Sequence, residues 1–129
     1  MNKYTILVCG GRDFNDKKFV DKTLDEIMNS NDISKIIQGE ASGADKLAKL
    51  YALEKGIPLV SLAADWNKFG KAAGPLRNDE MLKLNPNLVI AFPGGKGTKD
   101  MVKKSIQAGI QTIEYFVFEG EIKSKIHNL

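Results

Sequence analysis

The stretch Asn87-Leu88-Val89-Ile90-Ala91-Phe92-Pro93-Gly94-Gly95-Lys96-Gly97-Thr98 limits what this chain can fold into more than any other. Its Leu, Val, Ile, Ala and Phe run has the length and branching of a buried strand. The run stops at Pro93, and Gly94, Gly95 and Gly97 lead into a helical pattern. Glycines let the backbone turn tightly and approach a ligand closely, and the free N–H groups of a helix start attract an anion. In a parallel α/β sheet a strand–glycine–helix junction of this kind is where a ligand sits.

The rest of the chain repeats the alternation. Tyr4 to Cys9 reads as a strand ending at Gly10-Gly11, and Asp16 to Met28 carries Phe19, Val20, Leu24, Ile27 and Met28 at helical spacing, with Asn15 or Asp16 as cap. A second strand, Ile33 to Ile37, stops at Gln38-Gly39. A helix over about Ala44 to Glu54 ends at Gly56 in the C′ position. Ile57 to Leu62 is a third strand. Ala63 to Pro75 shows no clean period and reads as an organised loop, before a helix over Leu76 to Leu84 that Asn85-Pro86 ends. After the fourth strand, Leu88 to Phe92, come a helix from Thr98 to Gln107, a stop at Gly109 and a fifth strand, Ile110 to Phe118. Glu119 to Leu129 stays unassigned between a short edge element and a helix. The pattern predicts an α/β fold: a doubly wound, mostly parallel five-stranded sheet with helices on both faces.

At 129 residues, with 43 % apolar and 27 % charged, the chain is expected to form a single domain over 1–129. The net charge of +3 is too small to announce a nucleic-acid surface and suits an anionic small ligand. The single cysteine, Cys9, excludes an internal disulfide and a four-thiolate metal site, and its place at the end of an apolar run favours a buried thiol. His127, the single histidine, makes neither a metal site nor a triad. No metal and no cofactor is expected. No apolar run approaches the ~18 residues of a membrane span. The opening Met1-Asn2-Lys3-Tyr4 moves straight into a strand without a leader, so a cytoplasmic location is expected.

Three glycine-bearing loops fall at carboxyl ends of strands: Gly10-Gly11-Arg12-Asp13, Gly39-Glu40-Ala41-Ser42-Gly43-Ala44-Asp45 and Gly94-Gly95-Lys96-Gly97-Thr98. None has the spacing of a Walker A loop or of the dinucleotide fingerprint. Together they predict one ligand site. The Gly94–Thr98 N–H groups and the Thr98 hydroxyl would cradle a phosphate, with Arg12 adding a charge-assisted fork. Lys96 either joins the phosphate or faces solvent. Ser42 and Asp45 stand at a helix start, where they either cap it or, for Asp45, hold a ribose hydroxyl or organise the loop. Glu40 is an acid just ahead of that helix. Arg77-Asn78 falls at the start of the next helix, where a cation needs an anionic partner: a ligand phosphate, or an internal acid such as Asp79 or Glu80. Trp66 is either a core or interface aromatic or a lid over a base.

Gly10-Gly11-Arg12, Ala41-Ser42-Gly43-Ala44-Asp45, Ala64-Asp65-Trp66, Gly70 with Ala73-Gly74-Pro75, Arg77-Asn78, Met81 and Phe92 to Thr98 resemble, in order and separation, the small single-domain members of the SLOG superfamily related to YspA and YpsA. The resemblance covers about residues 3 to 115. It implies a Rossmann-like binder of nucleotide ligands, of a kind common in bacteria and their phages. A relative, the Lonely Guy phosphoribohydrolases, cleaves the N-glycosidic bond of nucleoside 5′-monophosphates with a Pro-Gly-Gly-x-Gly-Thr-x-x-Glu motif. Pro93, Gly94, Gly95, Gly97 and Thr98 match that motif, and Arg77 stands as the counterpart of its phosphate- and ribose-side arginine. The glutamate position, however, is Met101. Methionine can neither stabilise an oxocarbenium-like state nor activate water. Asp100 lies about 100° around the helix from it and is not a simple replacement; Glu40, Asp45 or Asp79 would have to supply the acid. Glu40 is itself a departure, since similar proteins usually carry glycine there.

The leading expectation is therefore binding of a phosphate-bearing nucleotide or nucleotide-derived ligand without turnover, as a sensor or sequestering protein. The alternative is a nucleotide-processing hydrolase of the phosphoribohydrolase kind. Nucleic-acid binding is disfavoured because acidic residues are scattered throughout, no membrane partner is expected, and a homo-oligomer is, since so small a domain has loops that a neighbour can complete.

Overall fold

Strands buried on both faces need apolar side chains at successive positions, and the first strand has them: Ile6 and Val8 point to one layer, Leu7 and Cys9 to the other. The computed structural model describes residues 3–128; Met1-Asn2, on which the expectation about a leader rests, and Leu129 lie outside them. The strands are β1 (Lys3–Cys9), β2 (Asp32–Gln38), β3 (Leu59–Ser61), β4 (Leu88–Ala91), β5 (Gln111–Phe118) and β6 (Glu121–His127). They form one six-stranded sheet in the order β3-β2-β1-β4-β5-β6. The five expected strands are all parallel. Helices α1 (Lys17–Ser30) and α2 (Ala44–Lys55) cover one face. The other is covered by α4 (Ala73–Leu82) and α5 (Lys96–Gln107); α3 (Trp66–Phe69) is a short helix ahead of α4. The fold is the doubly wound one expected.

Local chemistry sets the helix ends. The Asp16 carboxylate accepts from the Phe19 N–H at 3.1 Å and starts α1, while Gly56, left-handed at φ +68°, ends α2.

Two segments differ from the sequence reading. Residues 63–75 are not a loop: Asp65 caps α3 by accepting from the Lys68 N–H at 3.1 Å, a 3₁₀ turn follows over Gly70–Ala72, and α4 begins at Ala73. Arg77 consequently lies in the second turn of α4, and the helix-start argument for its needing an anion does not hold. The unassigned tail supplies the other difference. It forms β6, antiparallel to β5, so the sheet has six strands rather than five. Glu119 and Gly120, at φ +51° and +77°, make the two-residue turn between them, as a primed hairpin turn requires. Only Gln111 to Glu114 of β5 pair with β4, so the hairpin tip extends past the sheet.

The chain leaves β1 toward β2 and leaves β4 toward β5, in opposite directions along the sheet. Beyond the carboxyl ends of β1 and β4 this reversal leaves a crevice, the usual ligand position in open α/β sheets. On the α1 side an aromatic group braces its rim: Phe92 stacks between Phe14 and Tyr115 with centroids 5.5 and 5.6 Å away, and Phe19 meets it edge-on at 5.9 Å. Such pairs contribute about 0.5–1.5 kcal/mol each beyond their burial.

Candidate functional site

The three glycine loops are tied together by backbone bonds. The Gly11 N–H donates to the Pro93 carbonyl at 2.9 Å, joining the first loop to the third, and the Ala44 N–H donates to the Gly11 carbonyl at 3.1 Å, joining the first to the second. The Ser42 hydroxyl adds a bond to the Arg12 carbonyl at 3.1 Å. Gly43 has φ +74°, and any side chain there would strike the Gly11 and Arg12 carbonyls. Gly94 is equally crowded, with the Gly11 nitrogen 2.6 Å from where a Cβ would stand.

Against these loops, on the α4/α5 side of the crevice, lies a cavity of about 570 Å³. Of the residues expected at a ligand site, it is lined by Gly10, Gly11, Arg12, Asp45, Trp66, Arg77, Asn78, Gly95, Lys96, Gly97 and Thr98. Ser42, Gly43 and Gly94 are not on its wall; they hold the loops together behind it. Cys9, Ala41, Lys71, Gly74, Pro75, Met81 and Asp100 complete the lining, and the sequence reading did not propose them. The apolar floor of Cys9 and Met81 was visible only as core pattern. Lys71 lies in the 3₁₀ turn, where no period marks a face.

Electrostatically the cavity suits an anion. Gly95 precedes α5 without a side-chain cap, so the first-turn N–H groups have no side-chain acceptor at Gly95. Arg12, Lys71, Arg77 and Lys96 line the same space, and among the described residues none has a carboxylate within ion-pair distance. The opposing carboxylates are Asp45 and Asp100.

Arg77 is held by a different partner from the one expected. Its Nη1 donates to the Gly39 carbonyl at 2.7 Å and its Nε to Asn78 Oδ1 at 3.2 Å, not to Asp79 or Glu80. A side chain at Gly39 would collide with that guanidinium. Asn78, only 3 % exposed, passes the chain of bonds on: its Nδ2 donates to the Gly97 carbonyl at 3.2 Å and to Asp100 Oδ2 at 3.0 Å. Lys104 closes the line, 3.0 Å from Asp100 and 2.9 Å from Asp79. One polar network thus runs from the loop after β2, across α4, to the start of α5.

Each candidate acid has an observed engagement. Asp79 is paired with Lys104 and does not line the cavity. Glu40 also lies off its wall: Gln38 Nε2 donates to its carboxylate at 2.7 Å and Lys49 Nζ at 3.1 Å, and these contacts, with Ser61 beside them, hold its carboxyl below the ordinary value. Its φ of +58° is a conformation glycine adopts freely and other residues seldom adopt. Asp45 does line the cavity and accepts from the Gly39 and Ala41 N–H groups, each at 3.2 Å. Burial raises its carboxyl above the ordinary value, although those bonds and Arg77 pull the other way. Met101 is fully buried in the α4/α5 core, whereas Asp100, one step along the helix, stands on the cavity wall. Cys9 is buried, and burial, followed by the nearby Asp45 carboxylate, pushes its thiol well up.

Trp66 is 46 % exposed at the cavity mouth, with its indole edge against Gly74 and the Arg12 guanidinium 5.0 Å from its ring centre. It is not a core residue.

Residues 4–69, from β1 through α3, match the family model described as the YspA, cpYpsA-related SLOG family. The chain belongs to that family. The SLOG assignment associates it with nucleotides and nucleotide derivatives. It is also similar to the Gene 61 protein of Mycobacterium phage D29, at 33 % identity over 118 residues, which cover 85 % of this chain and 94 % of that protein. No solved structure matches it. Among the described residues of this SLOG chain no helix is long and apolar enough to cross a membrane, and no group of three or more His, Cys, Asp or Glu could hold a metal ion.

Proposed function

We propose that the cavity binds a phosphate-bearing nucleotide or nucleotide-derived ligand and holds it without turnover, in a sensing or sequestering role. One observation carries this reading: the uncapped start of α5 opens onto a cavity that also receives Arg77 and Lys96, with Trp66 at its mouth. The phosphate sits on the Gly95–Thr98 N–H groups with Arg77 beside it, the sugar runs toward Asp45, and the base lies under Trp66. A cavity of about 570 Å³ falls within the usual small-ligand range of roughly 300–1,000 Å³. Binding without turnover is supported by the state of the acids. Glu40 and Asp79 lie off the wall, Asp45 is committed to two backbone N–H groups, and the glutamate position holds a buried methionine.

A second reading has one observation of its own. Asp100 brings a carboxylate to the wall, which a glycosidic hydrolase would need near the anomeric carbon. Mass spectrometry of small molecules released on denaturation, followed by incubation with a panel of nucleoside monophosphates, separates the two. An intact co-purified nucleotide and no free base is the expected result. Absence of binding to every member of the panel overturns the nucleotide reading. Release of base and ribose 5-phosphate, abolished by Asp100→Asn, replaces binding with hydrolysis.

A further inference from the structure

The β5–β6 hairpin leaves one edge of β5 open. β5 pairs with β4 only as far as Glu114, yet it stays paired with β6 to Phe118. β4 cannot follow it: the Phe92 N–H turns back to the Cys9 carbonyl, and Pro93 has no N–H to donate. Tyr115 to Phe118, about 14 Å of strand, therefore project without a neighbour on that side. The two-residue turn makes Phe118 and Glu121 the closing pair of the hairpin. Alternation along an antiparallel ladder then aims the Val117 N–H and C=O outward, away from β6.

Beside this edge lies a notch of about 350 Å³, separate from the cavity already described, with Thr98 lining both. Phe92, Pro93, Tyr115, Phe116 and Val117 give it an apolar wall, and Lys99 stands at its side. Among the described residues Lys99 has no carboxylate within ion-pair distance. The hairpin that forms the notch carries the matching chemistry itself. It is already extended, it exposes Phe116, Val117 and Phe118, and its turn bears Glu119. That carboxylate has no ion-pair partner among the described residues either. Open edge, apolar strip and opposite charge thus meet on one self-complementary element.

We propose that two copies of this chain join by their β5 edges, antiparallel about a two-fold axis at Val117, with each hairpin seated in the notch of the other. This register joins the outward N–H and C=O groups of the two Val117 residues. It sets Phe116 of each copy opposite Phe118 of the other, a cross-strand aromatic pair on each side of the axis. It also brings Glu119 of each copy opposite Tyr115 of the other, at the notch where Lys99 waits for an anion. The two sheets become one. Two such short arms make a small interface, so the dimer dissociates on dilution.

Sedimentation equilibrium on the full chain over a dilution series tests this. The expected result is a monomer–dimer equilibrium. Glu119→Lys and Lys99→Glu should each weaken it by about tenfold, because the symmetry removes two pairs at once and sets like charges together. Both reversals in one chain should return the affinity to within about twofold of the parent, which a merely structural role for either residue would not do. Val117→Pro removes an N–H that faces outward, so it should abolish the dimer and leave the thermal melt of the monomer in place. A chain that stays monomeric at every concentration overturns the proposal and leaves the open edge to an extended segment of another protein. A dimer that neither charge reversal weakens overturns it as well, as does one that persists in a folded Val117→Pro variant. If Val117→Pro melts early, the charge reversals decide.

Discussion

Arg77 has two duties in one side chain, clamping the Gly39 carbonyl and lining the cavity, and its variants should separate them. Arg77→Ala is expected to weaken nucleoside monophosphate binding by about ten- to a hundredfold, the value of a charge-assisted contact of roughly 1.5–3 kcal/mol. The same variant should lower the urea midpoint, because the Gly39 carbonyl loses its donor. Arg77→Lys should restore little of either, since an ammonium cannot reproduce the planar fork toward Gly39 and Asn78. Asp45 gives the pH prediction. Its carboxyl is raised by burial, so the folded chain holds that proton more tightly than the unfolded one. Its contribution to stability is therefore full below the ordinary aspartate value and is lost as pH rises through the raised one. Asp45→Asn removes that dependence: relative to the parent, its stability should improve from acid toward neutral pH in urea melts taken across the range. Asp45→Ala should be worse at every pH, by about 2–3 kcal/mol, because two backbone N–H groups lose their acceptor. At this scale the sequence was partly legible. Asp45 is legible from its glycine loop, Arg77 only from a helix start that lies elsewhere and from the family resemblance, and Asp100 is passed over on helical geometry measured from Met101. The turn of α5 places Met101 in the core and Asp100 on the wall, and only the direction of that helix relative to the sheet decides which of the two faces a ligand.

At the level of elements, α5 offers a sharper test, because two of its neighbouring glycines have opposite surroundings. Gly97, inside the first turn, has open space where a Cβ would go, whereas Gly94 has the Thr98 side chain and the Gly11 nitrogen. Gly97→Ala should stabilise the fold by about 0.5–1 kcal/mol through helix propensity. It should also weaken nucleotide binding, since its methyl enters the phosphate cradle. Gly94→Ala should destabilise, by prising apart the loops after β1 and β4. Thermal melts and ligand titration on both variants would show stability and binding moving in opposite directions only for Gly97. If Gly97→Ala binds nucleotide as well as the parent does, the cradle is not where the phosphate sits. The elements most readable from sequence were those with a strong period and a clear stop, such as α1 with its apolar stripe and α2 ending at Gly56. α3 escaped because four residues are too few for a helical period to register, and its signal was instead the Asp65 cap. β6 escaped for another reason: its Ile122 and Ile126 are four apart among lysines, a spacing that suits a helix face and one face of a strand equally.

For the molecule as a whole, the hairpin of β5 and β6 is the part least explained by the site. Its end carries Val117 and Phe118, 60 and 57 % exposed, past the last pairing with β4. We propose that, in the homo-oligomer expected for this chain, a second copy covers the hairpin end. Val117→Asp with Phe118→Asp should then convert an oligomer to a monomer in light scattering without loss of secondary structure; an unchanged mass would exclude the hairpin as the contact. β6 itself is a poor edge for further strand addition, because Lys123 and Lys125 alternate along it. Cys9 gives the molecule a stopwatch. Cys9 lies at the floor of the cavity, and burial holds its thiol in the protonated form. Alkylation by a small maleimide needs that buried sulfur to become accessible, so the labelling rate follows exposure of the cavity floor, and no second thiol on the chain competes for the reagent. Anything that truly occupies the crevice must slow that clock, whether or not its chemical identity is known. Crude metabolite fractions could thus be sorted by the time they take a single sulfur to react.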